Sequence, residues 1–271
     1  MNLKRLVELA IEEDIGPGDL TTNACIPADS TSKGWIEARE RLVVSGLEPA
    51  AELFRQMGVT FRPLVADGTV VERKERVAEI EGPSRAILTG ERIALNFLMK
   101  LSGIATNTAG IVSGADGRFA VVDTRKTTPL LRALEKAAVR HGGGVNHRFA
   151  LYDGVMVKDN HIVACGGIEG AVRRCREGVH HLIKIEVEVD RVDQIEEALA
   201  AGADVLLLDN MSNDELREAV ELVAGRAWTE ASGNMTRERL EGLREVGIDC
   251  VSVGGLIHQA TWVDLALELE S

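Results

Sequence analysis

Beyond about residue 105, short apolar runs alternate with helix-length amphipathic segments, and no other feature of the sequence constrains the fold as much. The runs are Phe119–Val122, Val155–Val157, Ile185–Val189, Val205–Leu208, Ala227-Trp228 and Cys250–Val253, with helices predicted near 129–140, 168–177, 191–200, 213–223 and 236–245. Repeated strand–helix units with buried parallel strands read as a βα barrel or a doubly wound sheet. No G-x-G-x-x-G follows the first strand, which removes the usual fingerprint of the second option. The runs also end in reactive residues: Asp123-Thr124-Arg125-Lys126, Lys158-Asp159, Glu188, Asp209-Asn210, Glu230 to Gly233, and Gly254-Gly255. In a barrel those carboxyl ends converge on one mouth. Roughly 150 residues is short for a complete eightfold barrel, so an open, incomplete one is expected.

Residues 1 to about 105 read differently. Leu3, Leu6, Val7, Ala10 and Ile11 give an amphipathic helix over 2–13, broken by Gly16-Pro17-Gly18-Asp19. Short strand-like runs follow at Trp35–Glu40, Val43-Val44, Phe61–Val65, Val70-Val71 and Val77–Ile80, flanked by helical patterns at Glu48–Met57 and Ser84–Leu101. This is an α+β unit.

Charge gives the first hint of function. The chain carries a net charge of −12, yet Thr124 to Lys158 holds seven Lys and Arg against two acids, leaving 24 of 31 bases and 41 of 43 acids elsewhere. A cationic block in an acidic protein suits a small, multiply charged anion, whereas the overall charge repels a nucleic-acid backbone. Arg132, Lys136 and Arg140 have the spacing of a solvated helix face; Arg125, Lys126, Arg148 and Lys158 do not. Cys25, Cys165, Cys175 and Cys250 are scattered without zinc-ligand spacing, and no run has membrane-span length or signal-peptide character. A cytoplasmic protein with free thiols is expected, with no nucleic-acid or membrane partner.

The strand ends carry specific chemistry. Arg125 can grip a carboxylate in two places, and Lys126 beside it offers a point charge. Gly142-Gly143-Gly144-Val145-Asn146-His147-Arg148 joins a flexible loop to a ring donor and a second guanidinium. Lys158 and His161 close the next strand, His161 being equally readable as a structural hydrogen-bonding residue. Glu186 and Glu188 lie two apart, hence on one side of their strand. Together with Asp209 they can hold Mg²⁺; the alternative is neutralisation by Lys158 and Lys184. Ser232-Gly233-Asn234 and Val253-Gly254-Gly255 end the last two runs, where barrels often present backbone N–H groups to a phosphate.

The segments Asp123–Arg132, Gly142–Tyr152, Lys158–His161, Lys184–Val189, Leu208–Met211, Glu230–Asn234 and Val253–His258 resemble the ordered motifs of quinolinate phosphoribosyltransferases. The likeness extends to Glu13–Thr22, Glu91–Asn96 and Leu101–Thr106, so it spans essentially the whole chain. It implies an N-terminal α/β sandwich over 1–105, an open TIM-like α/β barrel over 106–256, and a helix over 257–271 packed back on the sandwich. It also implies a homodimer, with larger homo-oligomers open, in which Arg92 completes the neighbouring subunit's site. Carried over by motif, Arg92, Thr124, Arg125, Lys126, His147, Arg148 and Lys158 would bind quinolinate's carboxylates and nearby phosphate oxygens. Glu188 and Asp209 would meet the ribose hydroxyls and Mg²⁺, with Lys126, Lys158, Glu188 and Asp209 as the catalytic set. Ser232, Gly233, Asn234, Val253, Gly254 and Gly255 would take the 5-phosphate. Three departures from the family pattern stand out: Leu130 where Gly is usual, Phe149-Ala150 where a smaller pair is frequent, and Ile257 within the usual Ala-Leu-Thr-His.

The resemblance implies transfer of phosphoribose from phosphoribosyl pyrophosphate to quinolinate with decarboxylation, a step of NAD biosynthesis. Two rivals are a phosphoribosyltransferase for another anionic heterocycle and a non-catalytic binder of phosphoribosyl pyrophosphate or a pyridine acid. The density of cations argues against nicotinate as acceptor, and the retained Glu188 and Asp209 argue against a mere binder.

Overall fold

The structure, a computed structural model, describes residues 2–270. It divides into two compact units, Met1–Ala109 with Thr128–Gly143 and Gln259–Ser271, and Gly110–Thr127 with Gly144–His258.

The first unit is built on an antiparallel sheet of β1 (Thr31–Ala38), β3 (Thr60–Pro63), β5 (Arg76–Pro83) and β12 (Leu265–Leu269), in the order β12-β1-β5-β3. A short pair, β2 (Leu42–Val43) and β4 (Val70–Val71), lies outside that sheet. Ile36, Val77 and Ile80 of the sheet share one core with Leu53 and Phe54 of helix Leu47–Gln56 and Ile87 and Leu98 of helix Ser84–Val112. Each such side chain contributes about 1.5–3 kcal/mol on burial.

The helix expected over 257–271 is corrected here. Only Gly255–His258 is helical, and the tail ends as β12, paired with β1 from Gly34↔Leu269 to Ala38↔Leu265. Leu265, Leu267 and Leu269 alternate with a period of two, the spacing of a strand with one apolar face. That face joins the core of the first unit.

The second unit is a sheet of six parallel strands: β6 (Ala120–Val122), β7 (Val155–Val157), β8 (Ile185–Val189), β9 (Val205–Asp209), β10 (Trp228–Ser232) and β11 (Cys250–Ser252). Their order is β6-β11-β10-β9-β8-β7. Among the described residues β6 and β7 do not pair with each other, so the barrel is open; Val145 makes a single bridge to Val122 at the β6 edge.

Register explains how the interior acquires its chemistry. Glu186 and Trp228 both lie opposite Val205, Glu188 and Glu230 both lie opposite Leu207, and Asp209 lies opposite Ser232. These residues form successive layers on one face, as inward side chains of a barrel do. The other face presents Ile185, Val187, Val189, Leu206, Leu208, Ala231 and Val251, all buried. Both faces of a parallel sheet are covered, and here the charged residues of the strands take the inner one.

Candidate active site

The carboxyl end of β6 is anchored from below. Asp123 is fully buried and accepts hydrogen bonds from the Asn146 side chain at 2.7 Å and the His147 backbone N–H at 2.8 Å. A buried carboxylate held this way fixes the loop that carries His147 and Arg148. Thr124 accepts the Lys126 N–H through its hydroxyl at 3.1 Å, while Arg125 and Lys126 remain exposed. Arg148 donates to the Gly154 carbonyl at 2.8 Å and reaches Met156 Sδ at 3.6 Å. Burial, and then the nearby Arg125 guanidinium, lower its pKa. Two guanidinium groups close enough to repel are poised for a ligand with more than one negative charge.

At the next strand ends, Lys158 contacts Glu188 directly. Asp209 accepts from the Ser232 hydroxyl and, at 2.6 Å, from the Asn210 side-chain amide. Asn210 and Asn234 both adopt positive φ, 56° and 48°, which asparagine tolerates better than most residues. Gly233 has φ of 96°, and a Cβ there would overlap the Asn210 carboxamide, so only glycine fits. A Cβ on Gly254 would lie 3.0 Å from Lys126 Cδ and 3.5 Å from His258 Nε2; Lys126 is thus laid against the backbone after β11. His161 accepts the Lys158 N–H through Nδ1 at 2.9 Å and caps helix Asp159–Cys165, the structural one of its two readings.

Deeper in the barrel the arrangement departs from the sequence reading. Glu186 does not pair with Lys184, whose ammonium lies over the Trp228 ring at 6.0 Å. Its partner is His147, whose Nε2 is 3.3 Å from Glu186 and 3.4 Å from Glu230. The sequence pattern puts Glu230 beyond the end of its strand with no role of its own, because Trp228-Thr229-Glu230-Ala231-Ser232 carries too little apolar character to read as a strand. The available signal was the two-residue spacing that puts Trp228, Glu230 and Ser232 on one face. Burial opposes charge on His147, but the two carboxylates outweigh it and favour a pKa of about 10. Against this, Nδ1 accepts the Arg148 N–H at 2.7 Å and so carries no proton in this conformation. The geometry therefore fixes a neutral ring protonated at Nε2, and the demand for further positive charge remains with the carboxylate pair. Burial raises Glu186, whereas Glu230 is lowered because His147, Ser252 and Cys250 together overcome its burial.

The second unit thus brings together Thr124, Arg125, Lys126, His147, Arg148, Lys158, Glu188, Asp209, Ser232, Gly233, Asn234, Val253, Gly254 and Gly255 at or just inside the carboxyl ends of its strands. Arg92 belongs to the first unit, exposed on helix Ser84–Val112. Glu188 and Asp209 offer oxygen donors only, a set suited to a hard cation such as Mg²⁺.

Residues 19–102 match the N-terminal domain of quinolinate phosphoribosyl transferase and residues 104–268 its C-terminal domain. A probable nicotinate-nucleotide pyrophosphorylase [carboxylating] of Bacillus subtilis is 41% identical over 272 residues, covering 99% of this chain and 94% of that one. A protein of the same description from Methanocaldococcus jannaschii is 39% identical, covering 98% and 96%. The crystal structure of NadC from Streptococcus pyogenes superposes with a TM-score of 0.95 at 41% identity, covering 99% of this chain and 96% of that one. The open α/β barrel, the polar strand ends and these likenesses agree: the chain belongs to the quinolinate phosphoribosyl transferase family.

Proposed function

We propose that this protein transfers the phosphoribosyl group of phosphoribosyl pyrophosphate to quinolinate, with decarboxylation, giving nicotinic acid mononucleotide, pyrophosphate and CO₂. The observation that carries the reading is the gathering of Arg125, Lys126, Arg148 and Lys158 with Glu188 and Asp209 at the carboxyl ends of parallel strands in a chain of this family. Cations suit the two ring carboxylates, acids suit ribose hydroxyls and a divalent ion, and the Ser232–Asn234 and Gly254-Gly255 turns suit a phosphomonoester.

In this reading Arg125 and Arg148 orient quinolinate so that its ring nitrogen faces C1 of the ribose. Positioning of two reactants supplies much of the rate, since no protein nucleophile is required. Glu188 and Asp209 meet the ribose hydroxyls and would hold Mg²⁺, with Lys158 pairing Glu188 until substrate arrives; the ion would supply positive charge for the departing pyrophosphate. Lys126 and Lys158 add positive charge beside the leaving group. Once the ring nitrogen is quaternary, the adjacent carboxylate leaves as CO₂, its bonding pair stays on the ring carbon beside the positive nitrogen, and that carbon takes up a proton from solvent to give the nicotinate ring.

The same reading gives a homodimer in which Arg92 serves the neighbouring subunit's site, and a cytoplasmic location. Four free cysteines and the exposed Leu151 and Tyr152 support these two points. No helix among the described residues is long and apolar enough to cross a membrane.

The test is an assay of the purified protein with phosphoribosyl pyrophosphate, Mg²⁺ and either quinolinate or nicotinate, following nucleotide and CO₂. Nucleotide from quinolinate with matching CO₂ is expected. Turnover of nicotinate in preference, or ligand binding without pyrophosphate release, would overturn the reading.

A further inference from the structure

His147 and Arg148 share one backbone link and one buried network. His147 Nε2 faces Glu186 and Glu230, its Nδ1 receives the Arg148 N–H at 2.7 Å, and its own N–H is held by Asp123 at 2.8 Å. Both ring nitrogens are thus engaged within the protein. The ring acts as a strut between β10, β8 and the loop that carries Arg148.

The two glutamates are not equivalent parts of that strut. Glu186 faces His147 with Oε2 while its Oε1 is buried without a hydrogen-bond partner, and the residue lines a cavity of about 350 Å³ together with Arg148 and Glu230. Glu230, with a side chain only 5% exposed, is satisfied from several sides: His147 at 3.4 Å, the Cys250 thiol at 3.5 Å and Ser252. A fully satisfied buried carboxylate is rigid, and rigidity is what an orienting group needs. The carboxylate that acts on the Arg148 charge is Glu186, whereas Glu230 acts on His147.

We propose that Glu230 is a positioning residue for acceptor binding: through the His147 ring it sets the backbone of Arg148 and so the direction of its guanidinium toward the substrate carboxylate. This rests on quinolinate being the acceptor. Glu230 lies one layer below Ser232 on β10, deeper than the strand-end groups. Its influence is therefore on the acceptor side of the reaction, and phosphoribosyl pyrophosphate binding is left largely alone.

The experiment combines kinetics with a mutant cycle. In Glu230→Ala the KM for quinolinate should rise about tenfold or more, since a misplacement on the order of 1 Å in a binding group can cost up to a hundredfold. The KM for phosphoribosyl pyrophosphate should stay within about twofold. Glu230→Gln keeps an oxygen acceptor for Nε2–H and should recover most of the loss, which also covers the case in which the alanine variant folds poorly. With Arg148 already replaced by Ala, adding Glu230→Ala should change the quinolinate KM by less than about twofold, because the group it positions is gone. Equal shifts in both KM values, a fall in kcat alone, or additive losses in the double variant would each overturn the proposal. A wild-type protein that does not use quinolinate at all would instead overturn the function on which it rests, so the two failures are distinguishable.

Discussion

Replacing Gly233 by Ala offers a severe trial of the site geometry. The residue sits at φ of 96°, and an added Cβ would overlap Asn210 Oδ1 and approach Asn210 Cγ at 2.9 Å and Cα at 3.0 Å. Backbone strain for an L residue there costs about 1–3 kcal/mol. The overlap cannot be relieved by the side-chain tip alone, because the Asn210 Cα is also close. Moving Asn210 disturbs its backbone bond to the Ser232 carbonyl at 3.1 Å and its 2.6 Å bond to Asp209, the latter charge-assisted and worth about 1.5–3 kcal/mol. Part of this cost falls on the active arrangement of Asp209 and Ser232. At about 1.4 kcal/mol per factor of ten, kcat/KM for phosphoribosyl pyrophosphate should drop by roughly a hundredfold. Steady-state kinetics with each substrate varied should locate the loss on phosphoribosyl pyrophosphate. Combining Gly233→Ala with Asn210→Gly removes the collision with the carboxamide and should restore part of the activity. An alanine variant within threefold of wild type in kcat/KM, with unchanged thermal stability, would refute the reasoning.

Three further outcomes are expected. Arg125→Ala should lower kcat/KM for quinolinate by roughly a hundredfold or more, at about 1.5–3 kcal/mol per charge-assisted bond lost, and a steady-state value within threefold of wild type would reject its role. Leu130, 70% exposed and at φ of 70°, occupies a left-handed conformation that suits glycine. Leu130→Gly should therefore stabilise the fold by about 0.5–1 kcal/mol, raising Tm by about 1–4 °C in calorimetry. Asp204 accepts from the Ile185 N–H and from Arg176, both at 2.7 Å, and these together outweigh its burial and lower its pKa. A depressed carboxylate pKa stabilises above the unfolded value of about 3.9 and loses that contribution as pH falls through the folded value. Asp204→Asn should thus cost about 1 kcal/mol at pH 7, after allowance for solvent screening, and the urea midpoints of the two proteins should converge in acid.

The barrel strands were legible where period and composition agreed. Val155–Val157 and Ile185–Val189 appear in the structure with the bounds read from sequence, because buried β-branched runs have few alternatives. β10 was shortened to its first residue because its inward side chains, Glu230 and Ser232, are polar and its outward ones, Thr229 and Ala231, are small. Helix Asp159–Cys165 was missed because its capping partners, Lys158 and His161, read as chemistry. For the tail, the helix implied by resemblance gives way to β12, whose period of two at Leu265, Leu267 and Leu269 matches the β1 edge it completes. In the site, residue types at strand ends identified the cations and acids. Asp123 acts through tertiary hydrogen bonds to a distant loop, which leave no local pattern, and for Glu230 the sequence offers only its two-residue spacing from Trp228 and Ser232.

Whether cations from separate strand ends meet around the carboxylates of one small acid is decided by a crystal structure of the protein with quinolinate bound. Both carboxylates of the ligand are expected within hydrogen-bonding distance of groups drawn from Arg125, Lys126, Arg148 and Lys158, above Glu188 and Asp209. Quinolinate bound elsewhere, or at the mouth with these side chains turned away from it, would overturn the proposed function.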